Sequence, residues 1–144
     1  MIPPRPELEE RLFERLSARP EIMEAYLFGS AARGDAQPHS DVDVAVFVDQ
    51  EKPLDEGWGY QAELASELMS ALGTNDVDLV LLNRADPVLY HRVLRDSVRV
   101  LSRDLRATTV REGRALSRYC DYLPQLEKIR RASERRLRAG AFGR

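Results

Sequence analysis

Apolar residues recur along the chain with two periods, one typical of helices and one typical of strands. A spacing of four residues occurs at Leu8, Leu12 and Leu16, and again at Leu64, Leu68 and Leu72. The first set predicts an amphipathic helix over residues 7–18 that ends before Pro20. The second set predicts another helix, and Gly73 lies where a C-terminal glycine cap belongs.

Three shorter apolar segments predict strands, namely Glu21 to Phe28, Asp41 to Val48 and Val77 to Leu82. In the second segment, alternate residues face opposite sides. Four valines therefore face one side, and Asp41 and Asp43 face the other. The stretch from Pro53 to Gly59 predicts a loop.

The second half of the chain is predicted to be mainly helical. Asp86-Pro87 is typical of a helix start, and residues 98–101 could add a short edge strand. From about Leu105 to Arg138 the pattern is helical, and Pro124 is expected to kink or divide this helix.

Along that last helix runs an apolar stripe, which includes Leu116, Leu123, Leu126 and Ile129. Such a stripe is more often part of a core, and we predict that role here. If it protrudes instead, it is the natural face for a dimer or a partner.

The order of elements predicts an α/β (α+β) fold in which helices flank a mixed sheet of three to four strands. A length of 144 residues fits one domain. Within it we distinguish a core over residues 1–102 and a helical extension over residues 103–144.

Charge is distributed unevenly between these two parts. Residues 103–144 contain 12 Lys/Arg and 5 Asp/Glu, a local charge of +7, whereas the whole chain has a formal charge of −2. The basic extension either serves an anionic partner or is a solvated arginine-rich helix face. Direct nucleic-acid binding is not expected, because no aromatic stacking residues are interleaved with the arginines.

Other features of the composition point to a cytoplasmic protein. The apolar runs are no longer than strands, so we expect no membrane span. The N-terminal residues lack the apolar stretch of a secretory signal. The single cysteine, Cys120, cannot form an internal disulfide.

The first candidate for chemistry is the Gly29-Ser30 pair that follows the first strand. Residues 31–34 can form a short helix after it, and a helix N-terminus presents backbone N–H groups to phosphate oxygens. The Ser30 hydroxyl could donate to the same phosphates. Taken alone, such a pair is more often just a turn.

The second candidate is a set of carboxylates. Strand alternation places Asp41 and Asp43 on one side of the sheet, where they repel each other unless a cation lies between them. Their oxygens suit Mg²⁺. Asp78, at the start of the third strand, could share a metal and take the proton of an attacking hydroxyl. Asp76 has the same parity and is the rival for that role, and exposure at strand ends is the alternative for all four.

Together these residues resemble the signature of the DNA polymerase β-like nucleotidyltransferases. The run from Phe28 to Asp35, with Ser40-Asp-Val-Asp43, is similar to their minimal, MNT-type branch, and Val77 to Val80 resembles that family's third-carboxylate strand. The resemblance covers residues from about 22 to 101. It implies the polymerase-β-like fold.

The resemblance also implies roles for individual residues. Gly29 and Ser30 would hold the triphosphate of ATP, and Arg33 resembles an arginine often found in this loop, where it could offset phosphate charge. Asp41, Asp43 and Asp78 would hold two Mg²⁺ ions.

Minimal enzymes of this type resemble the antitoxins of HEPN–MNT toxin–antitoxin pairs. This resemblance implies transfer of AMP from ATP to a tyrosine of a HEPN-type ribonuclease toxin. A homodimer or a hetero-oligomer with the toxin is possible.

Two other functions remain open. One is nucleotide transfer to a small molecule, as in aminoglycoside nucleotidyltransferases, although about 40 residues outside the core are few for a drug-binding domain. The other is an antitoxin that only binds the toxin and does not use its catalytic motif.

Overall fold

The computed structural model describes residues 3–35, 40–49 and 59–142, with the backbone alone at 141 and 142. Residues 53–58 of the predicted loop lie outside these ranges, whereas its last residue, Gly59, begins a helix rather than ending a loop. Ten elements follow one another within the described ranges. The strands are β1 (Ile22–Phe28), β2 (Val42–Val48), β3 (Val77–Leu81) and β4 (Val98–Ser102). The α-helices are α1 (Arg5–Ser17), α2 (Ser30–Arg33), α3 (Gly59–Leu72), α4 (Pro87–Arg95) and α5 (Leu105–Phe142), and a 3-10 turn spans Leu82–Arg84.

The four strands form one mixed sheet in the order β3-β2-β1-β4. β1 pairs antiparallel with both β2 and β4, whereas β2 and β3 run parallel. Parallel neighbours need a crossover connection, and α3 lies in the segment that joins β2 to β3. The predicted mixed sheet flanked by helices is confirmed.

One face of the sheet carries the main hydrophobic core. The four valines of β2 pack there, as predicted, with leucines of α1 and α3 that are spaced four residues apart. Gly73 adopts a positive φ of 69° after α3, and its N–H donates to the carbonyl of Met69, which confirms the predicted cap. The core therefore fixes which side of β2 faces away from α1 and α3.

The opposite face of the sheet is covered in part by α4 and α5. Tyr26, Phe28 and Ala45 pack there against Tyr90 and Val93 of α4. The predicted start of α4 is confirmed, because the side chain of Asp86 accepts a hydrogen bond from the N–H of Leu89 at 2.8 Å. The odd-numbered residues of β2, including Asp43, belong to this face.

The C-terminal helix differs from the prediction in two respects. It is one α-helix of 38 residues, and Pro124 does not divide it. Proline removes one backbone hydrogen bond, but residue 124 is exposed, so water can solvate the freed carbonyl. The prediction that the stripe is core is wrong for Leu116, Leu123 and Ile129, which are 51%, 43% and 50% exposed. Leu123 and Ile129 follow the part of α5 that packs on α4, and Leu116 lies within that part but is not covered by it.

No helix in the described ranges combines the length and the apolar character that crossing a membrane requires.

Candidate active site

Gly29 links the end of β1 to the start of α2, and its geometry tolerates no side chain. Its φ of 73° lies in the region that favours glycine. A Cβ placed there would lie 2.2 Å from Oδ2 of Asp43. The family resemblance assigned this glycine to holding the triphosphate. The structure adds a different reason, which is close approach by the Asp43 carboxylate.

The turn after Gly29 begins with Ser30. Gly29 precedes the first helical residue, and its carbonyl accepts a hydrogen bond from the N–H of Arg33 at 3.2 Å. The first N–H groups of such a turn have no acceptor within the helix. Gly34, with φ of 80°, ends the turn after four residues. The half-buried Ser30 thus stands at the N-terminal end of α2, beside the glycine that contacts Asp43.

Asp43 and Asp78 lie side by side on neighbouring strands. In the parallel pairing of β2 with β3 they are register partners, so their side chains leave the same face of the sheet. Phe28, the residue before Gly29, is the register partner of Asp43 on its other side. Asp41 precedes β2 and is exposed. The structure therefore brings together the glycine, the serine and two of the three predicted carboxylates, with Asp41 close in the chain.

The electrostatics of Asp43 show that the carboxylates act on one another. Partial burial, followed by the negative charges of Asp78 and Asp41, raises the pKa of Asp43 from 3.8 to about 6. The positive charges of Arg92 and Arg33 lower it in part. Among the described residues, none forms a salt bridge with Asp41, Asp43 or Asp78. This end of the face thus carries negative charge that the protein leaves without close compensation.

Asp76, the alternative third carboxylate, is placed differently. Like Asp78 it is exposed, but it precedes β3, and its backbone carbonyl accepts a hydrogen bond from the N–H of Val42 at 2.7 Å. The carboxylates that raise the pKa of Asp43 are Asp78 and Asp41. Asp78 is therefore the better placed of the two rivals.

Two arginines contribute positive charge near the carboxylates. Arg33, predicted from the sequence, is half-exposed and its guanidinium lies 3.4 Å from Asp35 and 3.9 Å from Asp96. Arg92, on α4, was missed by sequence reasoning, although it lowers the pKa of Asp43 more than Arg33 does. No sequence motif marks Arg92, because only the packing of α4 on the sheet brings it near β2.

The donor set fits a divalent cation. Asp43 and Asp78 offer hard oxygen ligands, and a cation between them would relieve the repulsion that raises the pKa of Asp43. Over the described ranges, however, no group of three or more His, Cys, Asp or Glu residues is already gathered closely enough to hold a metal ion. Asp41 is the carboxylate that would have to join the other two.

Comparison with known families decides the class of protein. The family model described as polymerase beta, nucleotidyltransferase, matches residues 10–106. The chain belongs to this family. The matched range holds every predicted site residue of this nucleotidyltransferase, and the polymerase-β-like fold expected from the sequence is confirmed.

A relative of known name is similar over part of its length. Over 75 residues the nucleotidyltransferase is 40% identical to the protein adenylyltransferase MntA of Shewanella oneidensis, and this alignment covers 52% of the chain. It covers 50% of the relative, so the chain spans about half the length of the curated protein it matches.

Solved structures are similar over most of the chain. A toxin–antitoxin structure with AMP-PNP contains a chain that superposes with a TM-score of 0.75 at 28% identity, covering 88% of the nucleotidyltransferase and 98% of that chain. A complex of tri-AMPylated Shewanella oneidensis HEPN toxin with MNT antitoxin gives a TM-score of 0.72 at 26% identity, covering 90% and 98%. The similarity therefore includes most of α5 as well as the sheet.

Proposed function

We propose that this nucleotidyltransferase transfers AMP from ATP to a tyrosine of a HEPN-type ribonuclease toxin and thereby acts as its antitoxin. The observation that carries the proposal is the pairing of Asp43 with Asp78 beside Gly29 and Ser30. The similarity to an adenylyltransferase and to toxin–antitoxin complexes supports the acceptor class. Since ATP is the donor, we place the reaction in the cytoplasm.

The proposed reaction is a displacement at the α-phosphorus of ATP. The tyrosine oxygen forms a bond to that phosphorus, the bond to the β-phosphate oxygen breaks, and pyrophosphate leaves. Asp41, Asp43 and Asp78 would hold two Mg²⁺ ions, which supply charge neutralisation on the phosphoryl oxygens. Asp78 would accept the tyrosine proton.

The remaining site residues bind and orient the donor. The Ser30 hydroxyl would donate a hydrogen bond to a β- or γ-phosphate oxygen, and the first N–H groups of the α2 turn face the same anion. Arg33 would offset phosphate charge, and we add Arg92 to this role, because its charge already acts on Asp43.

We extend the proposal to transfer of more than one AMP. The toxin in one similar complex is tri-AMPylated, which supports this extension.

Intact mass spectrometry tests the proposal directly. The purified chain is incubated with a HEPN-type toxin as the candidate partner, with Mg²⁺ and each of the four nucleoside triphosphates in turn. We expect the mass of the partner to increase by one or more AMP units with ATP alone, and no increase in EDTA. An unchanged partner under all conditions, with both proteins folded, would contradict the proposal.

A second candidate, an antitoxin that acts by binding alone, is favoured by the exposed apolar residues of α5. Co-expression of the toxin with an Asp41→Asn/Asp43→Asn variant separates the two functions. Loss of protection supports AMP transfer. Full protection by this variant would favour binding alone.

A further inference from the structure

A cavity lies on the same face of the sheet as Asp43, toward the C-terminal end of β2. Its volume is about 410 Å³, and its walls include Phe47 from β2 and Tyr90 from α4. Phe47 is four residues beyond Asp43, which is about 13 Å along a strand. The cavity is therefore separate from the place where Gly29 and Ser30 meet the carboxylates.

Three arginines from one face of α5 line this cavity, namely Arg111, Arg114 and Arg118. Their spacing of three and four residues places them side by side on the helix. Asp49, on the strand side, is the acidic residue of the lining. The lining therefore has an excess of positive charge.

Only one of the three arginines has its charge neutralised. Arg111 donates two hydrogen bonds to Glu24, at 2.7 and 2.5 Å, and its guanidinium lies 4.5 Å from the ring centre of Phe47. Within the residues that the structure describes, Arg114 and Arg118 form no salt bridge. Both are exposed, so an anion can reach them.

Tyr90 adds a donor that has no acceptor. The side chain is 4% exposed, yet its hydroxyl has no hydrogen-bond partner among the residues that the structure describes. Besides burial, the charges of Glu24, Arg111 and Arg118 act on the pKa of this phenol. The hydroxyl is thus close to the arginine cluster. A buried hydroxyl without a partner destabilises a protein unless a ligand or water accepts from it.

We propose that this cavity binds the phosphate group of a nucleotide, at a site distinct from the triphosphate site. Arg114 and Arg118 donate from one wall and the Tyr90 hydroxyl from another. Donors from two walls match the tetrahedral oxygens of a phosphate better than the two coplanar oxygens of a carboxylate.

The phosphate has two possible sources. One is a free nucleotide. The other, which rests on the proposed function, is an AMP group already attached to the acceptor. In the second case the cavity holds the attached group while the next AMP is transferred near Asp43.

Isothermal titration calorimetry tests binding without any transfer reaction. Inorganic phosphate and AMP are titrated into the metal-free full chain in EDTA, at constant ionic strength. We expect binding to the wild-type chain and about tenfold or more weaker binding to Arg114→Gln/Arg118→Gln. The charge-matched control is Arg135→Gln/Arg136→Gln, on the exposed end of α5, which should bind like the wild type. Absence of binding, or equal binding by both double variants, would overturn the proposal.

Tyr90→Phe is the sharper variant, because it removes only the unpartnered hydroxyl. If that hydroxyl serves a ligand, the variant is at least as thermally stable as the wild type without phosphate and binds phosphate about threefold to tenfold more weakly. A variant that loses stability but binds phosphate normally would show that the hydroxyl is structural and would overturn its assigned role.

The number of AMP groups on the partner distinguishes the two sources. If the attached AMP is the occupant, Arg114→Gln/Arg118→Gln still adds the first AMP but adds fewer later ones, as read by intact mass. If a free nucleotide is the occupant, AMP binds in the titration and the AMP distribution on the partner is unchanged. Failure of all transfer would contradict the proposed function, and the titration would still decide whether the phosphate site exists.

Discussion

Two carboxylates on the same face of the sheet have opposite electrostatic surroundings. Glu24 of β1 is completely buried, but it accepts hydrogen bonds from Arg111 and from the Thr108 hydroxyl. Asp43 of β2 is only partly buried, yet it has two like charges near it and no salt bridge in the described part of the chain. Burial alone therefore does not distinguish the proposed reactive acid, Asp43, from the paired acid, Glu24.

Whether a carboxylate is paired within the protein therefore distinguishes a structural acid from a candidate reactive one. A buried charge that is fully paired contributes to a single packing arrangement of α5 on the sheet. A charge that the fold places beside like charges, without a salt bridge, is tolerated where a ligand supplies the missing cation. Asp43 fits the second description, and each prediction below probes one side of this contrast.

The largest effect is expected for Asp43→Asn. The amide keeps the shape of the side chain but cannot serve as an anionic metal ligand. The rate of AMP transfer to the partner should fall about a thousandfold or more, equivalent to about 4 kcal/mol in the barrier. Single-turnover kinetics measured by mass spectrometry would check this. A rate within about tenfold of the wild type, in a folded variant, would contradict the assignment.

On the structural side, Arg111→Met should destabilise the fold. The substitution leaves Glu24 buried without its positively charged partner. Breaking a buried ion pair in this way lowers the free energy of unfolding by about 3–5 kcal/mol. Urea denaturation measures the loss. The control is Arg130→Met, which breaks an exposed pair with Glu127 on the same helix and should change little. Equal effects of both substitutions would remove the contrast.

Gly29→Ala should affect both stability and the site. A methyl group there meets the Asp43 carboxylate and requires a positive φ, so we expect a loss of about 1–3 kcal/mol in stability. Gly113→Ala is the matched control, because nothing lies within 4 Å of a Cβ at that exposed helical position. That control should be neutral or slightly stabilising. Normal stability of Gly29→Ala would show that the turn can move away from Asp43.

The smallest effect concerns the pH dependence of stability in EDTA. The pKa of Asp43 is about 6 in the folded chain and 3.8 ordinarily, so the folded state binds this proton more tightly than the unfolded state. Asp43 therefore destabilises the metal-free fold above pH 6, and this penalty disappears as the pH falls toward 3.8. The neutral Asp43→Asn variant should have the higher Tm at pH 7.5 and lose that advantage below about pH 4. An advantage that is independent of pH would mean that charge is not its cause.

Much of the fold and of the site could be predicted from the sequence, because both depend on local patterns. The alternation of valines with other residues in β2 predicts that Asp43 faces away from the main core. Its position beside Asp78 then follows from the parallel pairing of β2 with β3. Gly29 and Ser30 could be predicted because turn chemistry is local.

Other features depend on packing between distant segments. Arg92 acts on Asp43 only through the docking of α4, and the Glu24–Arg111 pair joins residues far apart in the chain. The exposure of Leu116, Leu123 and Ile129 could not be deduced from their spacing, since the same spacing serves a core and a free helix face.

The most direct test of the account compares Asp78→Asn with Asp76→Asn. The two substitutions lie two residues apart, remove the same charge and keep the same side-chain shape. We expect Asp78→Asn to lower the rate of AMP transfer by several powers of ten and Asp76→Asn to transfer at close to the wild-type rate. Equal rates for the two variants, or a larger loss at position 76, would contradict the claim that Asp43 and Asp78 together form the reactive centre.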